Sequence, residues 1–365
     1  MDARPVSAPA ERRGAGEGIL SGRGGSPARA AAAVADGGLP ALAGPVAELV
    51  DELAAGARVL GWSEGVHLRR EYLVARNAVL RHLLGHHRVA AVAAESHFGR
   101  SRAADAYALG AGPEEPPRAA VGGVWSWAQS AALADNRALL RLLRRHNAGR
   151  APAERVRFYG LEMYGSGAAE PADGGPVAEE PADPGDARHA AWLRRRLAEH
   201  RAAGGDHRDL AGRDAAQYAT LCEVARRHPE GLILLFEQVE HLDPRVPHAL
   251  GARLARGGLG VCRTVGAVWR DGDPSVAYPL GRYRDLSRRI AERAAAGGPG
   301  LLAAPGGTAL LDLRPWRTAR PASPDGRAPG TGEPPRDAVF ADAAAAFDAV
   351  LYAPSLTPAA RIAPS

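Results

Sequence analysis

Short apolar runs alternate along the chain with longer stretches whose apolar residues recur every three or four positions. The runs RVLGW (58–62), RVAAVAAE (88–95), RVRFYGLE (155–162), GLILLFEQ (231–238), GLGVCRTVGAVW (258–269) and FDAVLYAP (347–354) are bounded by turn residues, which predicts buried strands. Between them, helices are predicted over 46–56, 66–84, 99–109, 127–147, 188–203 and 211–228. In the second of these, Leu73, Val79, Leu80, Leu83 and Leu84 fall at apolar positions of the helical repeat. Strands that alternate with helices of this length predict an α/β fold with a mainly parallel sheet flanked by helices on both faces. The Pro- and Gly-rich stretches 165–187 and 317–336 read as mobile loops and residues 1–40 as a disordered tail, leaving a single domain over 41–365.

Composition narrows the chemistry. The 365 residues include no lysine, so all 46 basic residues are arginines that do not titrate near neutrality. Schiff-base catalysis, a pyridoxal lysine, a lysine general base and a P-loop lysine are excluded. A net charge of +5 and a pI near 9.6 would suit an acidic partner, but the arginines are dispersed among 41 acids, and no nucleic-acid partner is expected. Cys222 and Cys262 have no metal-ligand or CxxC spacing and read as buried free thiols. With no signal-like h-region and no apolar run of membrane-spanning length, a cytoplasmic protein without a membrane partner is expected.

In open parallel sheets, ligands bind beyond the carboxyl ends of the strands. Here those ends carry Glu64 and His67 after the first strand, Glu95 after the second, Glu162 after the third, and Glu237, Gln238, Glu240 and His241 after the fourth. One acid after a strand is ordinarily a cap or a solvated turn residue. Four strand ends that converge on one crevice are harder to dismiss, because a buried charge costs several kcal/mol unless it has a partner or a task. The residue types suggest proton transfer, with His67 as base and Glu64 or Glu95 orienting its imidazole, which is expected to be held neutral. No G-x-S-x-G motif supplies a nucleophile, so water takes that part. His67, Glu95 and His241 form a donor set that zinc accepts, yet no short HExxH-like ligand pair supports it, and neither metal nor cofactor is expected. His97, two residues after Glu95, is a further candidate to face the crevice. His82, His86 and His87 are explained by the dipole at a helix C-terminus, and Trp125 and Trp127 by packing.

The order of these segments resembles the erythromycin esterase family. Ser63-Glu64-Gly65-Val66-His67-Leu68 is similar to that family's GE-x-x-H-G turn, and AVAAESHFGRSRAADAYALG to its strand ending in E-A/S-x-F-G. WSWAQSAALADNRALLRLLRRHNA, VRFYGLEMY, GRDAAQYATL, LILLFEQVEH and FDAVLYAPSLTP follow in the family's order, so that the likeness runs from about 45 to 360. The resemblance implies an α/β fold with helical insertions forming a lid or lobe over the carboxyl strand ends. It also implies His67 as general base, Glu64 and Glu95 as carboxylates of its site, Arg76 on the inner face of the first helix after the site turn, and His241 as a second catalytic group. Glu162, Gln238, Glu240 and His97 are then expected to line the substrate. The second half departs from the family: Gln238-Val239-Glu240-His241 stands where HNxH is usual, Glu162 replaces an aspartate, and Leu68 replaces a glycine. Ring opening of a 14-membered macrolactone is therefore not expected. The leading expectation is an esterase-like enzyme acting on an ester, lactone or related group of a small-molecule or peptide-like natural product. The alternatives are a tailoring enzyme that performs cyclisation or dehydration, and a non-catalytic binder of a cationic ligand.

Overall fold

The computed structural model describes residues 39–42, 44–124, 133–164, 184–270, 281–317 and 338–362. The elements, in chain order, are α1 (Pro45–Ala54), β1 (Val59–Glu64), α2 (Arg70–His86), β2 (Val89–His97), α3 (Phe98–Ala108), α4 (Arg118–Val124), α5 (Ala134–Asn147), β3 (Arg157–Glu162), α6 (Pro184–Ala202), α7 (Leu210–Arg227), β4 (Leu232–Gln238), α8 (Val239–Leu242), α9 (Leu250–Leu254), β5 (Cys262–Trp269), α10 (Gly281–Ala295), β6 (Leu301–Ala304), β7 (Thr308–Asp312), α11 (Ala338–Ala346) and β8 (Ala349–Ala353). The strands form one eight-stranded sheet in the order β3-β2-β4-β1-β5-β8-β7-β6. All pairs from β3 across to β8 are parallel, and β7 joins antiparallel to β8 and β6.

The six expected strands are present, with β1 and β2 each running two residues further than their apolar runs. Leu60, Val92, Leu234, Val265 and Val350 are fully buried, as strands covered on both faces require. The β6–β7 hairpin was not anticipated. Its strands are only four and five residues long, β6 lies half-exposed at the sheet edge, and Pro305-Gly306-Gly307 between them reads as loop. Pro184, Asp186 and Ala187, expected in a mobile loop, form the first turn of α6, where the buried Asp186 pairs with Arg102 at 2.9 Å. The rest of that loop, nearly all of the other one, the tail to residue 38, and Trp125 and Trp127 lie outside the described residues.

The turn between β1 and α2 is fixed from two sides. A Cβ on Gly65 would meet the Trp269 ring at 2.6 Å and the Tyr72 hydroxyl at 2.8 Å, so only glycine lets the chain leave β1 here. From the other side the C-terminal segment straps the turn. Arg70 N–H donates to Thr357 O at 2.9 Å, the buried Glu71 carboxylate accepts from Thr357 N–H and Oγ1–H, and Ala359 N–H donates to Leu68 O at 2.9 Å. Leu68, where the family resemblance calls for glycine, adopts φ 61°, a left-handed conformation that is strained for leucine.

Candidate active site

The strand order explains why the ionisable strand ends meet. β3, β2, β4 and β1 are consecutive in the sheet, and in register Glu64 lies beside Gln238, Ser63 beside Glu237, and His97 beside Glu162. An irregularity between Ala94 and His97 breaks the β2–β3 register where Glu95 stands. The Ser96 carbonyl there would be 2.3 Å from a Cβ on residue 160, which accounts for the glycine of the FYG motif.

The site has a buried floor and, beside it, a pair of which His67 is partly exposed and Glu64 buried. On the floor, α7 lays Arg213 between two carboxylates: Nη2 is 2.9 Å from Glu95 Oε1 and 2.8 Å from Glu162 Oε2, and Nε donates to Glu162 Oε2 at 2.9 Å. Glu162 also accepts from Gln217 Nε2 at 3.1 Å and from the amides of Met163 and Tyr164. His241, on α8, points Nε2 at Glu95 Oε1 at 3.2 Å, while its Nδ1 lies 2.6 Å from Asp214 Oδ1. Asp214 is itself held by the Leu250 amide at 2.6 Å. Glu237 is buried with neither carboxyl oxygen hydrogen-bonded. Above the floor, His67 Nδ1 lies 2.5 Å from Glu64 Oε1. A cavity of about 10 Å³, close to what one water needs, is lined by Glu64, Glu237, Arg76, Trp62 and Tyr72 among others.

Electrostatics separates these groups. Burial works against a charged His67, but the hydrogen bond to Glu64 and the charges of Glu64 and Glu95 outweigh it and raise its pKa. Its partners thus favour the imidazolium and make the neutral ring a stronger base than a free histidine. His241 is likewise driven well above its ordinary value by Glu95 and Asp214 despite burial. Burial raises Glu95, yet His241, His67 and Arg213 more than reverse this and hold its carboxyl ionised. Glu237 goes the other way, pushed well up by burial and by the neighbouring charge of Glu95. Burial lowers Arg76 to about 10.

Of the residues singled out from sequence, Glu64, His67, Glu95, Glu162 and His241 lie in or directly above this cluster. Glu64 is the carboxylate on His67, and Glu95 serves Arg213 and His241. Gln238 contributes its backbone amide, 3.3 Å from Glu95 Oε2. Glu240 is half-buried with its pKa raised by burial and by Glu95 against the opposing charges of His241 and His67. Arg76 bonds Asn77 and Asn136 and stacks over Phe236. His97 accepts the Arg100 amide at 3.2 Å as the cap of α3. Arg213, Asp214 and Gln217 were not counted as site residues. The available signal was the RD pair of the α7 segment. His82 and His87 each lie 2.7 Å from Asp51 Oδ1, so a carboxylate on α1 holds them, not a helix dipole alone. Cys222 and Cys262 are free and half-buried, not fully buried.

Residues 85–173 match the family described as Erythromycin esterase. Among solved structures, the chain is similar to an erythromycin esterase, EreC, captured as a mutant in its open conformation, with TM-score 0.50 and 15% identity over 86% of this chain and 94% of that one. A Bacillus cereus protein gives TM-score 0.52 at 12% identity, covering 87% of this chain and 93% of that one. A succinoglycan biosynthesis protein gives 0.53 at 10% identity, covering 86% and 91%. No curated protein matches the chain. The family match over residues 85–173 supports an erythromycin esterase-like assignment, and the solved structures show the shared fold.

Proposed function

We propose that this erythromycin esterase-like chain is a hydrolase in which His67, oriented by Glu64, takes a proton from water for attack on an ester, lactone or related acyl group of a natural product. The observation that carries this reading is a difference in access. The His67 side chain is 26% exposed and bonded to Glu64 at 2.5 Å, while the side chains of Glu95, Glu162 and His241 are at 2% or below. Of these groups His67 is the one that solvent reaches and that also has a carboxylate to stabilise its imidazolium. Arg213 and His241 hold the carboxylates of the floor in place. Arg76, beside Glu64 in the cavity lining, offers positive charge to a developing oxyanion.

Gln238 in place of a histidine removes one proton carrier from the rim. That departure favours a smaller or less demanding acyl group than a macrolactone. It also keeps a second reading in play, a tailoring reaction driven by the same base. The test is incubation with p-nitrophenyl esters, small lactones and macrolides, followed by mass spectrometry. Addition of water to an ester or lactone is the expected result, with His67→Gln, still folded at the assay temperature, losing at least about 10²-fold. Retained turnover in a folded His67→Gln protein overturns the assignment of the base. Loss of water from a substrate without hydrolysis favours the tailoring reading.

A further inference from the structure

The proposed hydrolysis makes no use of Glu237. It is 1% exposed, sits at the end of the central strand β4, and neither of its oxygens has a hydrogen-bond partner. Leaving a carboxyl in that state costs free energy that a leucine there would not incur. Glu95, Glu237 and His241 each offer one donor atom, and the three atoms lie within 4.8 Å of one another. The His241 Nε2 to Glu95 Oε1 separation of 3.2 Å is close to the roughly 3.3 Å edge of a tetrahedron whose metal–ligand bonds are about 2.0–2.1 Å.

We propose that Glu95, Glu237 and His241 hold a divalent transition-metal ion of the zinc type, with Asp214 as the positioning residue behind His241. Three features support it beyond proximity. The Nδ1–H of His241 is committed to Asp214 at 2.6 Å, the carboxylate–histidine arrangement that leaves Nε2 to face a metal. Glu95 Oε2 meets the Gln238 amide at a long 3.3 Å and retains capacity to coordinate. The floor gathers four carboxyl groups, Glu95, Glu162, Asp214 and Glu237, around Arg213 and His241, and ligation would release the protons of Glu237 and of His241 Nε2, leaving Arg213 as the cation paired with Glu95 and Glu162. A divalent ion offsets the surplus negative charge and supplies Glu237 with the partner it lacks. One imidazole and two carboxylates suit zinc, and three protein ligands leave a position open. This inference goes beyond the hydrolytic reading and does not depend on it, since its test reads metal occupancy and not turnover.

The experiment uses the full chain, dialysed against a chelator and then titrated with Zn²⁺ by calorimetry. A parallel titration with Co²⁺ is followed by visible absorption. The expected result is one equivalent bound, with intensified cobalt bands of low-coordinate N/O ligation that Zn²⁺ abolishes. E237Q, nearly isosteric, should weaken zinc binding by about 100-fold or more at a metal-free melting temperature near that of wild type, and D214N by about 10- to 100-fold. Zinc taken up equally by wild type and E237Q is adventitious ion on surface histidines such as His86, and overturns the proposal. Cobalt bands of wild type that stay those of the aqueous ion overturn it as well, whatever the variants do.

Discussion

Replacing Arg213 by methionine is the sharpest test of the floor. The guanidinium is 8% exposed, and it alone joins Glu95 to Glu162, whose side chains are 2% and 0% exposed. Removing one partner of a buried ion pair costs about 3–5 kcal/mol, because the remaining charge is left without compensation. Here two carboxylates lose the same cation. Glu162 keeps Gln217 and two backbone amides, and Glu95 keeps His241, so the cost should stay within that range instead of doubling. At about 2.1 cal/mol/K per residue, unfolding 365 residues carries about 0.8 kcal/mol/K, and the loss corresponds to about 4–7 °C in melting temperature. Urea unfolding and calorimetry as a function of pH are the assay. Glu95 is held below its ordinary value, burial being outweighed by His241, His67 and Arg213. Such a group adds stability above its unfolded pKa of about 4.3, and that stability is lost as pH falls through the folded value. Part of this contribution goes with Arg213, so the gap between wild type and variant should be widest near neutrality and close on acidification. A loss under about 1 kcal/mol, or a gap that does not change with pH, refutes the account of Arg213 as the clamp.

The pH dependence of hydrolysis tests the upper pair: because Glu64 and Glu95 raise His67, the acid limb of kcat/KM should lie above the 6.5 of free histidine, and Glu64→Gln should move it downward. The same shift predicts that the stability lost in Glu64→Gln is fully visible below pH 6.5 and fades as pH rises through the folded value, which urea titrations at acid and alkaline pH will show. Leu68→Gly should stay within about 1 kcal/mol of wild type, since relief of about 1 kcal/mol of left-handed strain offsets the lost half-buried contact and the chain entropy of glycine. Leu68→Ala keeps the strain and loses the contact, so it should unfold at lower urea than Leu68→Gly; the reverse order would show that position 68 is not strained.

The parallel core was legible because β1, β2, β4 and β8 are apolar on both faces, a pattern that solvated helices and loops do not produce. The edge hairpin was not, since β6 alternates neither in burial nor in polarity. At the site, Glu64, Glu95 and Glu162 could be found by position alone: each is the ionisable residue on which an apolar strand ends. Arg213 and Asp214 could not. In a chain with 46 arginines, an Arg-Asp pair on a helix reads as one more stretch of solvated surface, and only the packing of α7 against the strand ends turns both side chains inward. Glu237 and Gln238 show the same limit on a finer scale. They are adjacent on one strand and point to opposite faces, and no pattern in LLFEQ says which of them meets the floor.

The absence of lysine bears on how the two levels of the site divide their work. A buried ammonium shifts its pKa readily and would give up its charge between Glu95 and Glu162 only at the cost of leaving one of them uncompensated. A guanidinium does not discharge, and its planar fork reaches both carboxylates at once, so Arg213 makes the floor a fixed arrangement of charge. Burial and the charges of Glu64 and Glu95 act on His67 in opposite directions, and it sits at the one place in the cluster that is both paired and open to solvent. A floor that cannot titrate beneath a base that can lets the proton move at His67 without reorganising the charges that stabilise the transition state. Glu237 is the exception to this division. It is as deeply buried as the clamp but has no cation to hold it, and the charge it is missing is the one a metal would bring.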